Sequence, residues 1–319
     1  MDFAIHFFGF PTVGSFSQEG VFPLSEKHPA PAPVATLWRS SVKRFKERAR
    51  ASGFRFSQEL WGEAMVQVSS GWLSEPLPFS EEGDAPFFSI GASGAAFRFA
   101  VVQDRKLRPC DDLRHYLTNV CTAILTPITL PTWGHLSEIA KAVYSTARDW
   151  SFIKGDHASS YKQLPLDPTH ANLTVVALRH PLTNNWMAFV PKVLLVGSIS
   201  AVLHYNCFSR CLSVLMNKCF GIPMVSYFDD FGSFIPKELA QAALDTFSGS
   251  LAILGSDLNG DKSGLGPELK FLGLTGNFPR SPQACFYAFF SLRIKYLPGP
   301  PKLTNLPNRA RFHISNSKN

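Results

Sequence analysis

Between Pro223 and Ile235 the chain reads PMVSYFDDFGSFI, two apolar runs flanking adjacent carboxylates, Asp229 and Asp230. Met224, Val225, Tyr227 and Phe228 favour a strand, as do Phe231, Phe234 and Ile235, and the stretch reads as a hairpin with the aspartates at its tip. Asp is also an ordinary turn residue, so this stretch alone leaves a structural role open. A third carboxylate, Asp156, follows another predicted strand, Trp150 to Gly155. Carboxylates from neighbouring strands are what a pair of hard divalent cations requires.

The remaining composition sets outer limits. With 319 residues, 45% of them hydrophobic, the chain can bury one large or two smaller cores. A formal charge of +7 suits a polyanionic partner, although many soluble proteins carry as much. The six cysteines form no CxxC pair and no zinc-like Cys/His spacing, which predicts reduced, mostly buried thiols in an intracellular protein. The opening MDFAIHFFGF has no basic region of the kind that leads a secretory signal. Val193 to Leu203 is the longest uncharged apolar stretch and is too short to span a bilayer. The protein is therefore expected to be soluble, cytoplasmic or nuclear, not secreted, and without a membrane partner.

Residues 1–35 are rich in Phe, Pro, Gly and Ser and read as an extended arm whose phenylalanines dock on the adjoining domain. From Leu37 to Ala51, Arg39, Lys43, Arg44, Lys46, Arg48 and Arg50 make a basic helix, either a solvated face or a phosphate-binding one. Ser57 to Ser70 places Leu60, Trp61, Ala64 and Val68 on one core-facing stripe, and Glu75 to Pro86 reads as an acidic loop. Ala96 to Asn119 reads as strand, turn and strand, clustering Arg98, Arg105, Lys106, Arg108 and Arg114. Guanidinium groups on a rigid hairpin suit a triphosphate, and equally suit salt bridges to Asp104, Asp111 and Asp112. Leu136 to Arg148, Gly197 to Phe220 and Lys237 to Gly255 read as helices, with Leu203, Leu212, Leu215, Leu244, Phe247 and Leu251 as core. Leu173 to Leu178 and Trp186 to Val190 read as a strand pair.

Asp156 is followed by Tyr161, Gln163 and Pro165, a spacing that resembles the first catalytic motif of reverse transcriptases. Tyr227-Phe228-Asp229-Asp230 is similar to the Tyr-x-Asp-Asp motif of that family. Between them, Gly197 and the helical run bearing Asn206 and Arg210 resemble the segment placed under template and nucleotide. Asp261-Lys262-Ser263 and Phe271-Leu272-Gly273-Leu274 resemble the lysine loop and the primer-grip strand, and Lys106 to Arg114 resembles the fingers strands. The stretches occur in the family's order over roughly residues 95 to 275. Leu195-Val196 stands where the family usually has Pro then Phe or Gln, and His157 where it usually has a small or apolar residue.

The resemblance implies an α+β right-hand polymerase, with an antiparallel palm sheet backed by helices and a fingers subdomain ahead of it. The implied divisions are an arm at 1–35, basic helices and fingers at 36–149, a palm with interleaved fingers strands at 150–276, and an irregular tail with an absent or truncated thumb at 277–319. It implies a retroelement RNA-directed DNA polymerase that takes an RNA or DNA template with primer, deoxynucleoside triphosphates, and two Mg²⁺ ions or Mn²⁺ in their place. Asp156, Asp229 and Asp230 would be both metal ligands and catalytic residues. Lys262 would protonate the leaving pyrophosphate. Lys106, Arg108, Tyr161, Gln163, Gly197 and Tyr227 would bind substrate, with Tyr161 beneath the sugar as a barrier to a 2′-hydroxyl. Two other readings stand beside this one: a catalytically silent nucleic-acid-binding relic, and an RNA-dependent RNA polymerase, against which Tyr161 and Tyr227-Phe228 argue.

Overall fold

A computed structural model describes residues 9–17, 30–33, 44, 45, 47, 56–78, 95–103, 106–116, 118–146, 149–266, 268–271 and 274–277. The first strands are β1 (Gly14–Phe16), β2 (Leu77–Pro78), β3 (Ala96–Gln103), β4 (Lys106–Asp111), β5 (Thr122–Ile124), β6 (Trp150–Asp156) and β7 (Val176–Arg179). They are followed by β8 (Trp186–Phe189), β9 (Val225–Tyr227), β10 (Asp230–Pro236), β11 (Gly264–Gly266), β12 (Glu268–Phe271) and β13 (Leu274–Asn277). The helices are α1 (Ser57–Ser69), α2 (Trp133–Thr146), α3 (Ile199–Phe220) and α4 (Ala240–Ile253). The chain divides into two compact units, Met1–Gly266 and Pro267–Asn319. In the second, β12 and β13 form an antiparallel pair.

In the first unit an antiparallel sheet runs β11-β6-β10-β9. Because successive side chains alternate, Ser151, Ile153 and Gly155 lie on one face of β6 and Trp150, Phe152, Lys154 and Asp156 on the other. The first face is covered by α3 and α4, where Ile153, Phe231 and Ile235 pack with Tyr205, Phe208, Leu212, Phe247 and Leu251. Gly155 is needed for that approach: a Cβ there would stand 2.4 Å from the Phe247 ring. The second face is aromatic at one end, where Phe234 meets Trp150 and Phe152 with ring centroids 5.2 and 5.0 Å apart, and acidic at the other. Helix α3 ends at Gly221, whose φ of 66° lets its N–H cap the carbonyl of Asn217.

A second, mixed sheet runs β2-β8-β7-β3-β4, with β3 and β7 parallel. Helix α1 lays Leu60 and Ala64 against Leu178 and Phe189, with Trp61 and Val68 beside them. The loop expected at Glu75 to Pro86 instead contributes Leu77 and Pro78 as an edge strand, the position in a sheet where a proline costs no ladder hydrogen bond. The arm does dock. Phe10 is buried, its N–H donates to the Pro165 carbonyl at 2.9 Å, and β1 pairs in parallel with β5. His204 sits between the rings of Phe10 and Phe16 and donates from Nε2 to the Pro11 carbonyl at 2.9 Å.

Cys110, Cys121, Cys207, Cys211 and Cys219 are free cysteines, but of these only Cys121 and Cys207 are buried, whereas the sequence predicts that most are. No described helix is long and apolar enough to cross a membrane. Most of the basic helix predicted at 37–51, the acidic loop from residue 79 onward, Arg105, Leu272-Gly273 and the tail after Asn277 lie outside the described residues.

Candidate functional site

The three predicted acids converge through strand register. Asp156 closes β6 and stands directly opposite Asp230, which opens β10. Opposite residues of an antiparallel pair have Cβ atoms about 5 Å apart, so the two carboxyl groups share one corner of the sheet. Tyr227 on β9 pairs with Asp230, leaving Phe228 and Asp229 as the turn. Phe228 adopts a φ of 51°, a left-handed conformation that is costly for a bulky side chain and is characteristic of functional sites. Tyr227 and Phe228 meet edge to face at 5.2 Å.

Backbone hydrogen bonds fasten this turn and the loop after α4 to the end of β6. His157 N–H donates to the Asp229 carbonyl at 2.8 Å, and Asn259 N–H donates to the Asp156 carbonyl at 2.8 Å. Asp156 N–H in turn donates to Ser263 Oγ at 2.9 Å. Gln163 completes the clamp: its Oε1 accepts from Asp257 N–H at 2.7 Å, and its Nε2 donates to the carbonyls of Ala158 and Asp257. Of the two roles open to this amide in the sequence, reaching the template or reaching the backbone, the structure shows the second.

Two ammonium groups sit on the carboxylates. Lys262 Nζ lies 3.2 and 3.4 Å from the two carboxylate oxygens of Asp156, so the predicted proton donor is at the site. Lys154, which no sequence motif singles out, places Nζ 3.1 Å from Asp230 Oδ1. Burial pushes the Asp229 carboxyl above the usual range; its own backbone N–H opposes this, Asp230 and Asp156 reinforce it, and Lys262 opposes it again. Oxygen donors of this kind suit Mg²⁺ or Mn²⁺. Among the described residues no group of three or more His, Cys, Asp or Glu side chains stands ready to hold a metal ion. A cation would have to draw these carboxylates together and compete with the lysines.

Beneath the carboxylates is an aromatic layer. Tyr161 lies in a short 3-10 turn after β6, its ring 4.8 Å from that of Tyr205 on α3. Burial, then the charge of Asp229, pushes its phenol up to about 12. Tyr205 Oη and His157 Nδ1 share a hydrogen bond of 2.7 Å, and burial lowers His157 to about 4. His157 therefore presents a neutral ring to the core and uses its backbone to hold the turn. Tyr205 had no signal in the sequence beyond its place on an apolar helix. The neighbouring Asn206 is buried and donates to Val202 of its own helix, while Arg210 is exposed.

The arginine cluster divides. Arg98 is not a candidate for triphosphate: Nε and Nη2 meet both oxygens of Asp111 at 2.7 and 3.0 Å, and Nη1 meets Gln67 Oε1 at 3.1 Å. Its partner on the paired strand is directly opposite, and alternation turns both inward toward α1. Lys106 and Arg108 fall on the other face of the hairpin and are exposed, as is Arg114. Gly197 has a fold-level reason to be glycine: its φ is 107°, and a Cβ would stand 2.8 Å from the Asp111 carbonyl oxygen. Its own carbonyl accepts from Asn119 Nδ2 at 2.9 Å, joining the 3-10 turn Thr118–Cys121 ahead of β5 to the start of α3.

No family model matches the chain, and no curated protein matches it. Among solved structures, a foamy viral protease-reverse transcriptase dRH in complex with double-stranded DNA is similar to it at a TM-score of 0.48 and 15% identity, over 66% of this chain and 31% of that one.

Proposed function

We propose that the protein is a nucleotidyltransferase of the reverse-transcriptase type, extending a primer 3′-hydroxyl with deoxynucleotides on an RNA template. The observation that carries this reading is the direct register of Asp156 with Asp230, with Asp229 in the adjoining turn. On this reading the β11-β6-β10-β9 sheet is the palm and the β2-β8-β7-β3-β4 sheet belongs to the fingers. Asp156 and Asp229 would hold two Mg²⁺ ions, with Asp230 as a more peripheral helper. Bound Mg²⁺ supplies the positive charge that lowers the pKa of the 3′-hydroxyl and stabilises the leaving pyrophosphate.

The chain's own residues supply positioning. Lys262, whose side chain is 59% exposed on a clamped loop, can leave Asp156 and donate a proton to the departing pyrophosphate. Tyr161, braced on Tyr205, forms the floor under the sugar and disfavours a 2′-hydroxyl. Lys106 and Arg108, exposed on one face of the β3-β4 hairpin, attract the triphosphate. Primer extension by the full chain on an RNA template tests the proposal. Mg²⁺-dependent incorporation of deoxynucleotides is expected, lost in Asp229→Asn while salt-sensitive nucleic-acid binding persists.

A second reading, a silent nucleic-acid-binding protein, is favoured by one observation: Asp156 and Asp230 already carry lysine partners. It predicts the same salt-sensitive binding with no extension by the wild type. Incorporation of ribonucleotides in preference to deoxynucleotides would instead identify an RNA polymerase.

A further inference from the structure

We propose that Lys154 is a built-in counter-ion that engages Asp230 and leaves cation binding to Asp156 and Asp229; this rests on the metal-dependent function proposed above. The two lysines at the site are held very differently. Lys262 belongs to a loop and its side chain is 59% exposed, whereas the Lys154 side chain is 11% exposed in a strand paired on both sides. Lys154 stands opposite Gly232 on β10, and Asp230 is the next residue on that same face. With no side chain at Gly232, nothing on β10 stands between the lysine stem and the aspartate, and the ammonium crosses the strand diagonally to reach Oδ1 at 3.1 Å. The same lysine stands opposite Gly264 on β11, where an added Cβ would enter open space.

The energetic consequence is a division of labour. Three carboxylates in one corner repel one another, and an ammonium fixed by two neighbouring strands offsets one of them permanently. An arriving cation displaces the loop-borne Lys262 from Asp156 more readily than the strand-borne Lys154 from Asp230. Lys154 is therefore a positioning residue: it sets the net charge that cations meet and keeps Asp230 turned away from them.

Calorimetric titration of the full chain with MgCl₂ reads this directly, with thermal melts to establish that each variant folds. Lys154→Met removes one positive charge beside the site and should tighten Mg²⁺ binding on the order of tenfold, while Lys154→Arg stays within about twofold of wild type. Asp230→Asn leaves the ammonium unopposed and weakens binding. Lys154→Met combined with Asp230→Asn removes both charges together and should return to the wild-type affinity; if Lys154→Met alone does not fold, this double variant decides. Unchanged or weaker binding in folded Lys154→Met, or a double variant far from wild type, overturns the role of Lys154 alone. A series in which no member binds Mg²⁺, wild type included, removes the metal-dependent function and this inference with it.

Discussion

Replacing Arg98 with Met separates a structural arginine from a substrate-binding one. The Arg98 side chain is 1% exposed and that of Asp111 6%, and the guanidinium makes three hydrogen bonds of 2.7, 3.0 and 3.1 Å, two to Asp111 and one to Gln67. Methionine fills much of the volume but leaves a carboxylate facing protein in place of its counter-charge. Breaking a buried pair from one side costs about 3 to 5 kcal/mol, most of it the desolvation of the charge left behind. Removing both charges, as Arg98→Met with Asp111→Leu, leaves no orphaned ion and should recover most of that loss, because a well-packed apolar pair is often as stable as the ion pair. Urea unfolding of the wild type and the two variants measures both numbers. A loss below about 1 kcal/mol in Arg98→Met, the size of an exposed ion pair, would refute the buried assignment. So would a double variant no more stable than the single one.

Gly155→Ala should destabilise the protein by about 1 to 3 kcal/mol in the same assay, since the new methyl lands 2.4 Å from Phe247 in a closed core; a neutral result would mean that α4 does not press on β6. His204 is held at about 4 by burial, below its unfolded value, so the folded state favours the neutral ring. Stability from this residue is complete above about pH 6.5 and falls as pH drops toward 4, by about 3 kcal/mol in all. Thermal unfolding between pH 7 and 4 should therefore show a shallower acid decline in His204→Gln than in wild type, and parallel declines would contradict it. Tyr161→Ala should raise ribonucleotide incorporation relative to deoxynucleotide by at least about tenfold, if one ring contact of about 1.4 kcal/mol sets the discrimination; unchanged selectivity in an active enzyme would remove Tyr161 from that role.

The local features were legible in sequence because they are encoded within a few residues. β6, the Asp229 turn, the strand pair β7 and β8 and the helices α1 and α3 follow from apolar period and turn chemistry. Their assembly depends on partners distant in the chain. Arg98 could not be separated from Lys106 and Arg108 until the register placed Asp111 opposite it and Gln67 beside it. Gln163 could be read as reaching either template or backbone, because its partner loop at Asp257 lies 94 residues away. Gly197 resembled a nucleotide-pocket glycine, and the close carbonyl of Asp111 gives it a second reason to be glycine. Tyr205 and Lys154 sit beside predicted site residues on a helix and a strand that read as core, and only the packing shows what they touch.

Crystals of the full chain soaked in MnCl₂, with diffraction recorded at the manganese absorption edge, address the cation site itself. Anomalous density between the carboxylates of Asp156 and Asp229 is the expected result, lost in crystals of Asp156→Asn. Density confined to other surfaces, or both lysines still seated on Asp156 and Asp230 at saturating Mn²⁺ with no ion beside them, would contradict a cation-dependent function.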